Sequence, residues 1–435
     1  MTNQIYRRLN STPQMMSVFD DVCLVQMMLD FESALARALS RSGLFEKGVA
    51  DLIASCCDVA KFDIPELSEK SVRSGTIVVP LVQQLSRLVE KVDPAASAWV
   101  HYGTTSQDVI DTALILQLKK ALGLLETDAR RLLDSLEDLA KENKSTTMIG
   151  RTLMQPSVPI TFGKKILGWR SAIARNWNRI EKTSKEAFVL QFGGAAGNLS
   201  AFGEESQKVT ERCAELLKLG LPDGAWHVHR DRLVAFISSV ALLVGSLGKM
   251  ATDLTLLMQS EVKEISERYD SETGSSSAMP HKRNSVGCLT SLTAAKRVPH
   301  LLATLYGSML HEHERALGGW QAEWMTIPSI IEAAAGSVAA MADLIERLEV
   351  NTIAMQENLD RLDGLVMSER VVLELSKKIG RNKASTIIIE ACRQAVEQKI
   401  NLSDVLKADD RVMNEFTADQ IDELMAPEGY LGTPT

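Results

Sequence analysis

Three stretches of the sequence interrupt long apolar-periodic tracts with small and polar residues, and they carry the side chains best suited to chemistry. The first is His101-Tyr-Gly-Thr-Thr-Ser-Gln-Asp108, just ahead of a helical pattern. Thr105 or Ser106 can cap that helix, with Asp108 in its first turn. The same hydroxyls and backbone N–H groups can equally form a carboxylate site, because a helix start carries partial positive charge. The second is Gly150-Arg-Thr-Leu-Met-Gln-Pro-Ser-Val-Pro-Ile-Thr-Phe-Gly163, which holds two prolines and several side-chain donors and reads as a loop feeding a helix. The third is Asp270-Ser-Glu-Thr-Gly-Ser-Ser-Ser-Ala-Met-Pro-His-Lys-Arg-Asn284, too rich in small residues to be core. A flexible linker is one reading of it, yet linkers seldom end in Met-Pro-His-Lys-Arg-Asn.

Other chemistries find little support. His227-x-His229 and His311-x-His313 are close pairs, but residues two apart on a helix do not share a face and no third ligand is suggested, so no metal is expected. No glycine-rich phosphate loop occurs, so no nucleotide cofactor is expected either. A formal charge of −8, from 48 basic and 56 acidic residues, gives no footprint for nucleic acid. The six cysteines lack CxxC spacing and read as reduced, buried thiols of a cytoplasmic protein, and no secretory signal is expected at the N-terminus. The uncharged run from Leu233 to Gly248 is shorter than a membrane span needs and reads as a core helix.

The elements that must position these segments are helices. Prolines punctuate the chain and leave long tracts free of them, such as Pro94 to Pro156 and Pro222 to Pro280. In the latter tract Phe236, Val240, Leu243, Val244, Leu247, Met250, Leu254, Leu257, Met258, Val262 and Ile265 recur at spacings of three and four, an apolar stripe of about eight turns. Ala113 to Leu139 and Ile330 to Ile353 repeat the pattern, while strand-like alternation is scarce. The expected fold is all-α, with a central bundle of long helices whose wide apolar faces call for burial against further copies of the chain. Composition shifts suggest an N-terminal helical domain over 1–105, a central helix-bundle domain over 106–355 and a small C-terminal helical domain over 356–435.

The run Gly274-Ser-Ser-Ser-Ala-Met-Pro-His-Lys-Arg-Asn284 resembles the signature Gly-Ser-Ser-x-Met-Pro-x-Lys-x-Asn of the fumarase/aspartase superfamily. The other two segments are similar to that superfamily's remaining active-site regions, in the right order. Leu190-Gln-Phe-Gly-Gly-Ala-Ala-Gly197, His229-Arg-Asp-Arg-Leu-Val234 and Glu312-His-Glu-Arg-Ala-Leu-Gly-Gly-Trp-Gln-Ala-Glu-Trp324 resemble the 3-carboxy-cis,cis-muconate cycloisomerase branch, and adenylosuccinate lyases share some of these features.

The resemblance implies a homotetramer with active sites shared between subunits, acting without a cofactor on a small anionic di- or tricarboxylate. Its reaction moves a proton next to a carboxylate while a group departs from, or attacks, the neighbouring carbon. Two negative charges then gather on one carboxylate, so aimed donors and cations supply the largest catalytic effect. By correspondence Ser276 exchanges the proton, Lys282 supplies the local cation, and Thr105, Ser106, Thr152, Gln155 and Asn284 surround the substrate. His101 is the histidine expected to contact substrate or shuttle a proton, with a structural role at the helix start as its alternative. Arg230, Arg232 and Arg315 could bind further carboxylates, with binding favoured for Arg230 and Arg232; the alternative is salt bridging to Asp231, Glu312 or Glu314.

Two departures narrow the chemistry. Members that release amines or water carry histidine where Leu153 stands and glutamate where Leu289 stands, so both halves of that pair are missing here. An amine or hydroxide needs a proton from a general acid in order to leave, whereas a carboxylate, with a pKa of about 4, leaves or attacks unaided. The expectation is therefore a cycloisomerase that closes a carboxylate onto a double bond. A lyase releasing fumarate from adenylosuccinate or nitrosuccinate, and a scaffold that has lost the chemistry, are the alternatives.

Overall fold

A computed structural model describes residues 4–268 and 274–432 of the chain. It is all-α in character, with two small two-stranded sheets among the described residues. Among the described residues, five helices beyond the N-terminal region exceed twenty residues: Ser106–Glu142, Phe162–Ala187, Asp231–Leu257, Val286–Gly307 and Gly319–Glu346. The chain divides into two compact units, each assembled from three separate segments.

The first unit comprises Met1–Arg130, Arg175–Gly248 and Thr290–Ala340. Its N-terminal part is a cluster of helices around Asp21–Arg41, whose Asp20 caps the helix by accepting from Cys23 N–H. Val25, Met28, Leu29, Phe31, Leu35 and Leu39 bury one face of that helix, at spacings of three and four. In its bundle part the helices approach closely. A Cβ added at Gly248 would stand 2.4 Å from the Ala295 Cβ, so only glycine fits there. Polar links between helices complete the packing: Asn176 Nδ2 donates to Ser246 Oγ at 2.7 Å, and Ser291 and Ser337 share a 2.8 Å hydrogen bond.

The second unit comprises Arg131–Ala174, Lys249–Leu289 and Met341–Thr435. A β-hairpin, Thr147–Thr152 paired antiparallel with Gln155–Thr161, leads into the helix Phe162–Ala187. The sequence predicts a loop here. A two-stranded sheet has only edges, so Pro156 and Pro159 are tolerated, and the register slips at Gly150, where a Cβ would meet the Val158 carbonyl oxygen at 2.7 Å. The C-terminal helices pack around their own core of Val371, Leu375, Ile388, Leu402, Leu406 and Ile421.

Three further expectations are corrected. The stripe predicted through Ile265 ends as a helix at Leu257; the chain turns at Lys263, with φ of 51°, and Ile265–Glu267 pairs as a strand with Leu348–Val350. The apolar spacing persists beyond the helix because Ile265 is buried from a strand instead. Ile353 likewise belongs to the next helix, Thr352–Asp360, capped by Asn351. Proline does not end every helix: Pro299 and Pro328 lie inside Val286–Gly307 and Gly319–Glu346. Helices Asp231–Leu257 and Gly319–Glu346 are long and apolar enough to cross a membrane, but 61% and 67% of their most apolar windows are buried inside the protein, as in core helices.

Candidate active site

In the first unit, the candidate residues gather where the helix Ser106–Glu142 begins. Asp108, fully buried, reaches back so that its Oδ2 accepts Thr105 N–H at 3.1 Å and Gly194 N–H at 2.9 Å. Its Oδ1 accepts from Gly193 N–H at 3.0 Å and meets His227 Nε2 at 2.8 Å. One carboxylate thus ties the helix start, the glycine loop and His227 together. Thr105 does not use its hydroxyl to cap the helix: Oγ1 accepts a 2.6 Å hydrogen bond from Arg315 Nη1, and Arg315 Nη2 donates to the Ala195 carbonyl at 2.8 Å. Ser106 follows directly, half-buried at the first helical position.

His101 stands five residues before that helix with φ of 58°, in the left-handed region. Its Nδ1 lies 2.6 Å from Glu32 Oε1 and 3.1 Å from Thr104 Oγ1. Burial alone lowers its basicity, but the charge and hydrogen bond of Glu32, with Asp108 beyond, hold the imidazole pKa above its ordinary value. The first unit therefore presents hydroxyls, a guanidinium and a protonatable histidine around one helix start, which suits a carboxylate ligand.

The second unit carries the other two regions. Thr152 and Gln155 face each other across the tip of the hairpin, as directly paired residues on one face. The two residues between them, Leu153 and Met154, have φ of 49° and 66°, the pattern of a type I′ turn. Asn-Gly usually fills such a turn, and Leu-Met carries strain there. Both side chains point outward, 95% and 76% exposed. At the root of the tip Arg151 forms a bidentate pair with the buried Glu264, at 2.6 and 2.9 Å, and Asn358 Nδ2 donates to the same carboxylate at 2.9 Å.

Of the third segment, residues 270–273 lie outside the described residues, which leaves Gly274–Asn284. Asn284 N–H donates to the Gly274 carbonyl at 2.8 Å, and Ser275 and Arg283 form an antiparallel bridge, so the loop is closed at its neck. Just inside that neck, Ser276 Oγ accepts Met279 N–H at 3.1 Å and Ala278 N–H at 3.4 Å. N–H groups aimed at a serine oxygen favour its alkoxide, the form that can take up a proton. Lys282 and Asn284 sit on the exposed far arm of the same loop.

Two arginines take other roles than the sequence suggests. Arg230 is 1% exposed, and its guanidinium is engaged by Asp111 at 2.7 and 3.1 Å and by Glu323 at 3.0 Å through Nε. Trp320 Nε1 donates to Asp111 at 2.9 Å, and the guanidinium lies 4.8 Å from the centre of the Trp226 ring. Burial opposes the charge, but the two carboxylates more than offset it and raise the Arg230 pKa. Arg230 is thus a core ion-pair residue rather than a ligand for substrate. Arg232 pairs with Asp223, holding that carboxyl below its usual range mainly through the hydrogen bond. The histidine pairs also part: His227 is buried against Asp108 while His229 is exposed, and the His311 side chain is buried 3.8 Å from Glu323 while His313 is exposed. Arg315 is the arginine that reaches Thr105, and Glu32 and Arg151 are the supporting residues the sequence reading missed. A signal for Glu32 existed: it falls three and four residues from Met28, Leu29, Leu35 and Ala36, on the buried stripe of its helix.

Comparison with known proteins places the chain in a family. A lyase family model matches residues 7–299, and a model of the adenylosuccinate lyase C-terminus matches residues 364–434. The 3-carboxy-cis,cis-muconate cycloisomerase of Pseudomonas aeruginosa is 42% identical over 430 residues, covering 99% of this chain and 94% of the relative. That of Bradyrhizobium diazoefficiens is 40% identical, covering 97% and 94%. The crystal structure of 3-carboxy-cis,cis-muconate lactonizing enzyme from Pseudomonas putida superposes with a TM-score of 0.93 at 40% identity, covering 99% of this chain and 96% of that one. The chain belongs to the fumarase/aspartase superfamily of lyases and is similar to its 3-carboxy-cis,cis-muconate cycloisomerases along nearly its whole length.

Proposed function

We propose that this chain is a cofactor-free cycloisomerase that converts 3-carboxy-cis,cis-muconate to carboxymuconolactone, in the catabolism of protocatechuate and related aromatic compounds. The observation that carries the reading is the hairpin tip: Thr152 and Gln155 flank an apolar Leu153, so donors are present where a general acid for an amine or hydroxide leaving group is not. Relatives about 40% identical over the full length bear that name.

In the reaction a substrate carboxylate oxygen forms a C–O bond to one carbon of a double bond, and the π electrons move toward the neighbouring carboxylate. That carboxylate then carries two negative charges, for which Thr105, Ser106, Arg315, Thr152, Gln155, Lys282 and Asn284 are the donors and cations. The Ser276 O–H gives its proton to the carbon next to that carboxylate, completing the C–H bond. The alkoxide left behind is held by Met279 and Ala278 N–H until solvent restores its proton.

The site residues are contributed to one centre by different copies of the chain in a homotetramer. Support comes from apolar side chains left uncovered on and beside the long helices, among them Leu310, Leu317 and Met325, at 83%, 91% and 74% exposure. The three helical domains divided near residues 105 and 355, and a cytoplasmic setting with reduced thiols, belong to the same reading.

The test offers the purified protein 3-carboxy-cis,cis-muconate and, separately, adenylosuccinate, and follows the ultraviolet absorbance of each. Loss of the diene absorbance is expected. Fumarate release from adenylosuccinate, with the muconate untouched, would overturn the assignment. A stable monomer by light scattering would overturn the shared-site arrangement.

A further inference from the structure

Glu32 and His101 form a largely buried pair beside the start of helix Ser106–Glu142. Glu32 is 1% exposed, sits on the apolar face of helix Asp21–Arg41, and bonds His101 through Oε1 while its Oε2 has no hydrogen-bond partner. A buried carboxylate is expensive, and an apolar side chain in its place would pack against the same core at lower cost. Stability is therefore a poor reason for a glutamate at this position. The partner is held firmly. His101 has left-handed backbone, and two residues later Gly103, with φ of 73°, could not carry a Cβ because Phe202 would stand 2.5 Å from it. Thr104 Oγ1 also approaches Nδ1. Among the described residues nothing bonds Nε2, and the side chain keeps 18% of its surface open, beside the helix start where Arg315 meets Thr105.

We propose that Glu32 is a positioning residue that fixes the His101 ring with Nδ1 protonated and supplies the counter-charge for an imidazolium whose Nε2–H donates to a substrate carboxylate. The inference rests on the proposed function for the identity of that carboxylate. The charged groups facing His101 are Glu32 from helix Asp21–Arg41 and Asp108 from helix Ser106–Glu142, the latter shared with His227; Arg315 lies beyond Thr105. Both carboxylates favour the protonated ring, and Glu32 alone touches it. The superfamily's missing histidine and glutamate, at Leu153 and Leu289, are a separate pair, so His101 and Glu32 give this site a His–Glu couple of its own.

The test follows the histidine 13Cε1 resonances of the full-length protein against pH, with His101→Gln identifying the peak, in wild type, Glu32→Gln and Glu32→Asp. Wild-type His101 is expected to titrate above about 6.5. Glu32→Gln should lower the midpoint by about one pH unit or more, and Glu32→Asp should largely restore it. On 3-carboxy-cis,cis-muconate, kcat/KM of Glu32→Gln should fall about tenfold at pH 8, mainly through KM, and approach wild type at pH 5.5, where the ring is protonated in both. An equal loss at every pH, or an unmoved midpoint, would overturn the proposal by leaving Glu32 a packing role only. If Glu32→Gln does not fold, a wild-type midpoint at or below the ordinary value overturns it unaided. Wild-type inactivity on the muconate would defeat the proposed function instead, leaving the titration to decide this inference.

Discussion

Arg315 Nη1 donates to Thr105 Oγ1 at 2.6 Å across 210 residues of sequence, and by that bond a guanidinium is fixed over the start of the longest helix. A guanidinium so held presents its remaining edge in a set direction, which a flexible ammonium does not. Replacing Arg315 with Ala is expected to raise KM about tenfold with a smaller change in kcat, and Arg315→Lys should recover little. Steady-state kinetics check this; full recovery by lysine would mean that charge alone matters there.

Ser276→Ala removes the hydroxyl on which two backbone N–H groups converge. The expected loss in kcat is about 10²- to 10⁴-fold, with the melting temperature unchanged because the loop is largely exposed. Ser275, engaged in the bridge to Arg283, and the exposed Ser277 should each tolerate alanine with far smaller losses. Ser277→Ala losing as much as Ser276→Ala would move the proton-exchanging role.

The turn Leu153–Met154 should be improvable as a turn. Substituting Asn-Gly for it suits both left-handed positions and is expected to add about 1–2 kcal/mol to unfolding stability. Activity should fall by about tenfold or more, since the exposed apolar pair is then gone from between Thr152 and Gln155. Denaturant melts and kinetics on the same preparation check both halves, and a variant less stable than wild type would contradict the strain argument.

Arg230→Ala should cost about 3–5 kcal/mol, because it strands Asp111 and Glu323 as buried unpaired carboxylates. The cost should ease at acid pH, where Glu323 can take up a proton, since burial already pushes its pKa up. Urea melts at neutral and mildly acid pH measure this, and a variant with wild-type stability would return Arg230 to the list of substrate ligands.

What the sequence made legible was local. Thr105, Thr152 and Ser276 stand in segments whose composition alone sets them apart from helix interiors, and the long helices follow from apolar spacing. What it hid was long-range or ambiguous in period. Arg230 and Arg315 look alike along the chain, and only the placement of Asp111 and Glu323 around one, and of Thr105 beside the other, separates them. Pro156 and Pro159 marked a loop because proline is rare in strands, but a lone hairpin has no interior strand to disrupt. Ile265 kept helical spacing after the helix had ended, since burial from a strand needs the same apolar side chain.

The close approach of Gly248 to Ala295 has an evolutionary consequence. The gap between the two helices holds a single methyl group, so the positions behave as one locus: alanine at 248 requires glycine at 295. Drift at either is confined to that exchange for as long as the two helices keep this spacing.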